Sequence, residues 1–407
     1  MRIGVYGGSF DPFHNGHLAI IRGALRCGLI EAVVVIPTVR NSFKRGRVLS
    51  AAPYRFYMTK DVLESEFKDE PVYLSDIEFS IEGISYTAIT LERFCDKAYI
   101  VPFLMANGVK RKRAEEDHSY FWIAGSDILP QFDSWYMPDK ILKYANLLAA
   151  SRPGDGIDVD SEADRLEKIF DKRPEIFKIE QVEASSSVIR KERDFDKIPE
   201  AARRFIITHD LYQADNPLDH VSDRAVESFM EAAIWMYPYL GCKRLLHTLN
   251  VGLLSCRYAL IHGCDPDKAL LAGALHDCAK ELDIDLQRRM AEERTGDIFV
   301  EKKLLHSPAG ATFASREFGV DDPEILDAIT YHTTGCGNMS LLSKIVFLAD
   351  KLEPSRTYTD LTQMRITALR DLDEALRMCV GAVKDKFESQ GRDIHPLTRD
   401  FMESLGL

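Results

Sequence analysis

Apolar and polar positions along this chain follow two different rhythms. Ile3-Gly4-Val5-Tyr6, Ala32-Val33-Val34-Val35-Ile36 and Phe121-Trp122-Ile123-Ala124 are short, nearly continuous apolar runs, the pattern of strands buried on both faces. Between them apolar residues recur at helical spacing, as in the stretch opened by His17-Leu18-Ala19-Ile20 and continued by Ala24 and Leu25. Alternation of the two up to about Tyr212 predicts a parallel sheet with crossover helices. From about Asp219 onward the period is helical almost throughout, for example Leu245-Leu246-His247 and Ala269 to His276. The expected organisation is an α/β domain over residues 1–212, a polar, proline-bearing linker at 213–220 and an all-α domain over 221–407. Asn107 to His118 has almost no apolar content and carries a basic cluster followed by an acidic one. It is expected to protrude as a solvated loop rather than to form a nucleic-acid patch.

Composition narrows the class. A length of 407 residues suits two cores. The apolar share of 45% and charged share of 29% are those of an ordinary globular protein. No apolar run reaches membrane-spanning length, and Met1-Arg2 leads directly into a strand without a signal-like core, so a cytoplasmic protein is expected. Eight cysteines without a Cys-x-x-Cys pair fit reduced, mostly buried thiols. A net charge of −12 argues against broad nucleic-acid binding and leaves a local basic pocket for a small nucleotide open.

The chemistry begins where the first strand meets the first helix, in GGSFDPFHNGHLAI from Gly7. A glycine pair lets backbone approach a ligand, and the following helix start offers free amides and a positive dipole end, which suits an anion. His14 and His17 at its mouth can donate to phosphoryl oxygens, although a His-x-x-His pair alone equally suits packing or a metal. Gly8-x-Phe10-x-Pro12-x-His14-x-Gly16-His17 resembles the signature of the nucleotidyltransferase superfamily, built on a Rossmann-like sheet. Ser85 to Leu91, Gly125-Ser126-Asp127 with Trp135-Tyr136 downstream, and Ser185 to Arg190 are similar in order and spacing to the bacterial nicotinate-nucleotide adenylyltransferases.

That resemblance implies transfer of AMP from ATP to nicotinate mononucleotide, with Mg2+ on the phosphates. It implies phosphate contacts by His14, His17, Lys44 and Arg190, and an ATP site including Gly8, Ser9, Phe10, Gly16, Gly125, Asp127, Ser186 and Ser187. Thr87, Trp135 and Tyr136 would receive the nicotinate nucleotide, Trp135 offering its ring face. In Pro37 to Lys44 only Pro37, Thr38 and Lys44 match the family's usual proline-proline-histidine-lysine segment well, so the lysine charge is kept and the rigid proline turn is not.

In the helical half, His247, adjacent His276-Asp277, His306, His332 and Asp350 stand out among the eleven histidines and many carboxylates. Neighbours on a helix point about 100° apart, so His276 and Asp277 can share one cluster only at that helix's buried edge. Asp350 follows the apolar run Ile345 to Ala349, where a bare carboxylate is costly unless a cation receives it. Imidazole with carboxylate suits iron, manganese or cobalt, and a bridging carboxylate can hold two ions. His118, His209, His220, His262 and His395 lack such company and are read as ordinary structural residues.

These motifs resemble the HD-domain phosphohydrolases. With Ala272 to Lys280, His306 to Ala311, Tyr331 to Gly335 and Lys344 to Arg356, they are similar to the bacterial subgroup that hydrolyses diadenosine tetraphosphate symmetrically to ADP. The resemblance implies a paired-metal site, with His247, His276, Asp277 and Asp350 on one ion and Asp277, His306 and His332 on the other. Lys280 and Arg356 would contact phosphate. A bifunctional enzyme is therefore expected, acting on ATP, nicotinate mononucleotide and a dinucleoside polyphosphate, with no nucleic-acid or membrane partner. The alternative keeps the transferase and makes the helical domain a regulatory nucleotide binder or a hydrolase of another nucleotide phosphate. Nicotinamide against nicotinate as acceptor, and a homo-oligomer against a monomer, stay open.

Overall fold

The computed structural model describes residues 1–40, 49–152, 154, 156–357 and 361–407. The chain divides into two compact units, Met1–Ile207 and Thr208–Leu407.

The first unit is built on a parallel six-stranded sheet of order β3-β2-β1-β4-β5-β6. Its strands are β1 (Arg2–Gly8), β2 (Ala32–Pro37), β3 (Val72–Leu74), β4 (Ser119–Gly125), β5 (Ala145–Ser151) and β6 (Glu175–Lys178). The apolar runs form the central strands because helices cover both faces: β2 is buried at every position. Strand order reverses between β1 and β4, and in such sheets the crevice at the carboxyl ends of those strands receives ligands. Gly8, Pro37, Gly125 and Ser151 mark that edge. The helix Asn15–Arg26 leaves the end of β1 and buries Leu18, Ile20, Ile21 and Ala24, as its periodicity predicts.

Asn107 to His118 does not protrude as a bare loop. Its centre forms a short helix, Arg111–Ala114, with Ala114 fully buried. Arg113 pairs with Glu31 at 2.6 Å, and Nδ1 of His118 lies 3.2 Å from the amino group of Met1. Charge pairing and a single alanine dock a stretch whose composition gave no core signal.

Among the described residues the regular elements of the second unit are all helices. Its centre is the pair Cys242–His262 and Pro266–Leu275, which approach closely through glycine. A Cβ on Gly273 would lie 2.8 Å from the carbonyl oxygen of Val251, closer than real contacts allow. Around them stand Asp223–Met236, Ile284–Thr295, His306–Phe313, Pro323–Tyr331 and Leu341–Leu352, followed by Leu372–Ser389 and Pro396–Ser404. The polar stretch 213–220, read as a linker, packs within this unit. Pro217–His220 forms a turn in which Leu218 is buried and the Asn216 side chain accepts from the Leu218 amide at 3.2 Å.

All eight cysteines are free; three are buried, four partly buried, and Cys242 is exposed, so fewer are interior than expected. Among the described residues no helix is long and apolar enough to cross a membrane.

Candidate active sites

At the end of β1 the chain turns sharply through Phe10, which has a positive φ of 49°. His14 then caps the helix Asn15–Arg26. The His14 backbone amide donates to Nδ1 of His17 at 3.0 Å. Nδ1 of His17 is thus an acceptor, which puts the ring proton of the neutral imidazole on Nε2. The two rings stack with centroids 3.6 Å apart, and Phe10 and Phe13 flank His17 at 4.9 and 5.0 Å. Two imidazolium rings could not stack so closely in this apolar cage. Burial and the nearby charge of Arg152 push His14 down to about 4, while burial and His14 itself hold His17 well below its ordinary value. Both rings are therefore neutral at neutral pH. Nδ1 of His14 is buried without a hydrogen-bond partner, an unmet polar atom facing the turn.

The helix Ser186–Glu192 closes on the same turn. Ser186 Oγ donates to the carbonyl of Pro12 at 3.0 Å. Arg190 donates to the Asp11 carbonyl and lies 3.5 Å from the Asp11 carboxylate. Ser187 Oγ lies 3.0 Å from Ser185 Oγ. A Cβ on Gly125 would fall 2.2 Å from Oδ1 of Asp127, so a larger residue there would turn the Asp127 carboxylate from its present position. His14, His17, Gly16, Ser186 and Arg190 thus come together, with Asp127 exposed at the end of β4. Lys44 lies outside the described residues.

A cavity of about 150 Å³ opens beside Gly7 and Gly8, lined also by Thr38, Glu78, Ser85, Thr87, Trp122 and Trp135. Thr87 and Trp135 both line it. Tyr136 is not among the lining residues; its ring stacks on Tyr86 at 4.2 Å and is half exposed. Sequence reasoning missed Trp122, which reads only as strand core, and Glu78, whose carboxylate accepts from the Val39 amide at 3.1 Å and the Thr90 hydroxyl at 2.5 Å. It also missed Arg55. This arginine is 2% exposed and donates to the carbonyls of Ser9, Ser50 and Thr38 at 2.9, 2.9 and 2.5 Å. One guanidinium thereby ties the loop after β1 to the loop after β2.

In the second unit, five helices deliver the histidines and carboxylates to one point. Helix Pro266–Leu275 ends just before His276, so His276 and Asp277 occupy the following turn rather than the edge of a helix. His247, His276 and Asp277 form one group of converging ligand atoms, His276, His332 and Asp350 a second, and Asp277, His306 and His332 a third, each within 4.8 Å. All six side chains are buried. The expected set of Asp277, His306 and His332 is thus gathered as one group, while Asp350 groups with His276 and His332 and also lies 3.0 Å from His247.

Tautomers are set by outward hydrogen bonds. Nδ1 of His276 donates to the Gly273 carbonyl and Nδ1 of His332 to the Ile329 carbonyl, both at 2.7 Å. Their Nε2 lone pairs face inward. Burial pushes His332 down to about 3 and lowers His306 as well. For Asp277 and Asp350 burial alone would raise the carboxyls. It is outweighed by His276 at Asp277 and by Lys351 and His247 at Asp350, holding both well below the usual carboxylate range. Ionised carboxylates set among imidazoles, of which His306 and His332 are held toward the neutral form by burial, make a donor set suited to cations. His276 Nε2 and Asp277 Oδ1 have no hydrogen-bond partner although buried, even with His306 Nε2 3.1 Å from that oxygen. Such orphaned donor atoms fit divalent cations.

Cationic side chains crowd the rim. Lys280 reaches Nε2 of His306 at 2.9 Å, and Arg356 reaches Asp350 at 2.9 Å. Two more were not anticipated: Arg244 donates to Asp277 at 2.6 Å and Lys351 to Asp350 at 2.6 Å. Both sit three residues or fewer from a quoted motif residue, but a lone basic residue gives no sign of which way it faces.

A cytidylyltransferase-like family model matches residues 5–193 and an HD domain model residues 244–355. The chain is 32% identical over 216 residues to the "Probable nicotinate-nucleotide adenylyltransferase" of Clostridium novyi, spanning 52% of this chain and 98% of that protein. It is 39% identical over 142 residues to the "Bis(5'-nucleosyl)-tetraphosphatase, symmetrical" of Halalkalibacterium halodurans, spanning 34% of this chain and 76% of that protein. A Mycoplasma pneumoniae protein named "Probable nicotinate-nucleotide adenylyltransferase/Ap4A hydrolase" is 25% identical over 386 residues, which is 93% of this chain and 98% of that one. Two turn-and-helix sites on two units thus have two lines of relatives, and the chain belongs to the nicotinate-nucleotide adenylyltransferase family through its first unit and to the symmetrical bis(5'-nucleosyl)-tetraphosphatase family of HD domains through its second.

Proposed function

We propose that this chain is a bifunctional cytoplasmic enzyme. Its first unit, residues 1–212, transfers AMP from ATP to nicotinate mononucleotide, giving deamido-NAD and pyrophosphate. Its second, residues 221–407, adds water to diadenosine tetraphosphate and releases two ADP. The observation that carries this reading is the pair of chemically distinct, buried, partner-seeking donor sets in one chain: stacked neutral histidines at a sheet switch point, and six converging histidine and aspartate ligands.

In the transfer step the acceptor phosphate attacks the α-phosphorus of ATP and the bond to pyrophosphate breaks. His17, with its proton on Nε2, donates to the α-phosphoryl oxygens as charge builds there, and His14 holds a neighbouring phosphate. Their neutrality matters, because a fixed cation would grip substrate and transition state alike. Ser186, Ser187, Arg190 and Lys44 bind the outer phosphates, which carry Mg2+, and Gly8, Ser9, Phe10, Gly16 and Gly125 shape the ATP turn. Asp127 accepts from the ribose. Trp135 covers the pyridine ring, while backbone amides near Thr87 and Tyr136 read its carboxylate.

In the second unit His247, His276, Asp277, His306, His332 and Asp350 would hold two divalent cations, iron by preference and manganese or cobalt as alternatives. When bound, such ions polarise a phosphoryl oxygen and lower the pKa of water. Arg244, Lys280, Lys351 and Arg356 surround that point and would neutralise and align the polyphosphate.

The test is separation of function in the full chain. His17→Ala is expected to abolish deamido-NAD formation and leave ADP release from diadenosine tetraphosphate intact, and Asp277→Asn to do the reverse. Absence of either product from the parent chain, or loss of both with one substitution, overturns the proposal.

A further inference from the structure

One buried polar chain leads away from the ligand cluster of the second unit. His247 turns Nε2 toward Asp350, 3.0 Å from Oδ1, and its other ring nitrogen lies 3.1 Å from Oε1 of Glu353. Glu353 is 1% exposed, a setting in which a carboxylate must be heavily compensated. It accepts from Asn250 Nδ2 at 2.8 Å, from the Ser355 amide at 2.8 Å and from the Ser355 hydroxyl at 2.6 Å. Asn250, also 1% exposed, pairs in turn with Nδ1 of His209, whose Nδ1 lies 3.0 Å from the amide nitrogen. His209 is the second residue of the unit.

A carboxylate can only accept, so the His247 nitrogen facing Glu353, Nδ1, carries a proton, which leaves Nε2 as the nitrogen that a cation shared with Asp350 would use. His276 and His332 are fixed in the same sense, but by backbone carbonyls. His247 is fixed by a buried anion on a different helix end, and that anion is held by a side chain from the helix of His247 itself, Asn250. The ring is thus gripped from behind by a four-member polar chain that no packing requirement explains, since an apolar side chain of Glu353's size would fill the same volume without a charge to satisfy.

We propose that Glu353, braced by Asn250 and His209, is a positioning residue that fixes His247 as a metal ligand, so that cation affinity is set partly by a residue at the start of the unit. The inference rests on the metal reading above. Outer partners of metal-bound histidines contribute roughly 10- to 100-fold in affinity.

The experiment is titration of the full-length chain, stripped with chelator and reloaded anaerobically with Co2+, for the parent, E353Q, E353D, H209A and D277A. E353Q is expected to bind Co2+ about 10- to 100-fold more weakly, H209A severalfold more weakly, and E353D, which keeps the charge, to recover part of the loss. Proton NMR of the Co2+ form supplies a readout that general loosening would not mimic. The shifted Nδ1–H signal of His247 should exchange rapidly with water in E353Q and H209A, while those of His276 and His332 persist. If E353Q does not fold, E353D and H209A decide the matter by the same signal. Parent-like affinity with a slowly exchanging His247 proton in these variants overturns the positioning role. A parent chain that takes up no Co2+, or a D277A variant that binds as the parent does, overturns the metal reading instead.

Discussion

Replacing His14 with asparagine is expected to remove much of the acid sensitivity of the first unit. His14 is 8% exposed and held at about 4 by burial and Arg152, against about 6.5 in an unfolded chain. Between those values the unfolded chain takes up a proton that the folded unit refuses. The contribution to stability is complete above the unfolded value and is lost as pH falls toward the folded one. At about 1.4 kcal/mol per pH unit, moving from about pH 7.5 to about pH 5 costs the folded unit about 2 kcal/mol through this one ring. Asparagine does not titrate and is a favoured residue at a helix N-cap, so the helix Asn15–Arg26 keeps its start. His17, lowered in the same direction, remains in the variant and leaves a shallower slope of the same sign. The assay is urea unfolding at the two pH values, followed by tryptophan fluorescence. The chain has three tryptophans; in a Trp235→Phe background the remaining Trp122 and Trp135 report the first unit alone. Parallel pH dependences for the parent and His14→Asn, within a few tenths of a kcal/mol, would refute the reasoning.

Gly7→Ala would set a methyl group 2.3 Å from Cη2 of Trp122, the ring that lines the small cavity. Displacing it is expected to cost about 1–3 kcal/mol of stability and to raise KM for nicotinate mononucleotide more than KM for ATP, measured by steady-state transfer. Arg55→Lys keeps the charge but loses the fork, so at least two of the bonds to Ser9, Ser50 and Thr38 are lost. At roughly 1 kcal/mol each the first unit loses about 2 kcal/mol in the same urea assay, and transfer slows because the two loops come apart. Arg244→Met and Lys351→Met are each expected to raise KM for diadenosine tetraphosphate about tenfold, the equivalent of roughly 1.4 kcal/mol, with transfer kinetics unchanged.

Much of the architecture is legible in the sequence where the signal is local. A run such as Ala32 to Ile36 can only be a strand covered on both faces, and β2 is. His14 and His17 lie three residues apart at a strand-to-helix turn, so their meeting needs no tertiary information. The six ligand-type residues of the second unit lie on helices or in the turns that end them, Asp350 after an apolar run where a bare carboxylate would be costly, and the fold gathers them. What escapes is chemistry that depends on partners distant in the chain. Arg55 stands as a lone charge in the sequence, and its role depends on carbonyls 46 and 17 residues away. Trp122 gives only its β-propensity, and Glu353 only a motif neighbour of Asp350. Tyr136 stands outside the cavity lining although its neighbour Trp135 is inside, because chain order does not say which of two adjacent aromatics turns inward.

The two sites handle polyphosphate by opposite electrostatics, and the contrast follows from what each must stabilise. Around the histidine pair both rings are held neutral in the positive field of Arg152, and the buried Asp11 carboxylate of the same turn lies 3.5 Å from Arg190. Around Asp277 and Asp350 it keeps two carboxylates ionised and buried, which repel a polyphosphate unless cations intervene. Removal of divalent ions is therefore expected to act differently on the two substrates. The first unit still offers hydrogen-bond donors to ATP, whereas the second presents an anionic floor with Arg244, Lys280, Lys351 and Arg356 drawn onto it. Equilibrium dialysis of the chelator-treated chain tests this, with diadenosine tetraphosphate binding at the second unit falling by more than ATP binding at the first. An equal loss of both would show that the buried carboxylates do not govern access, and that the rim cations alone hold the phosphates.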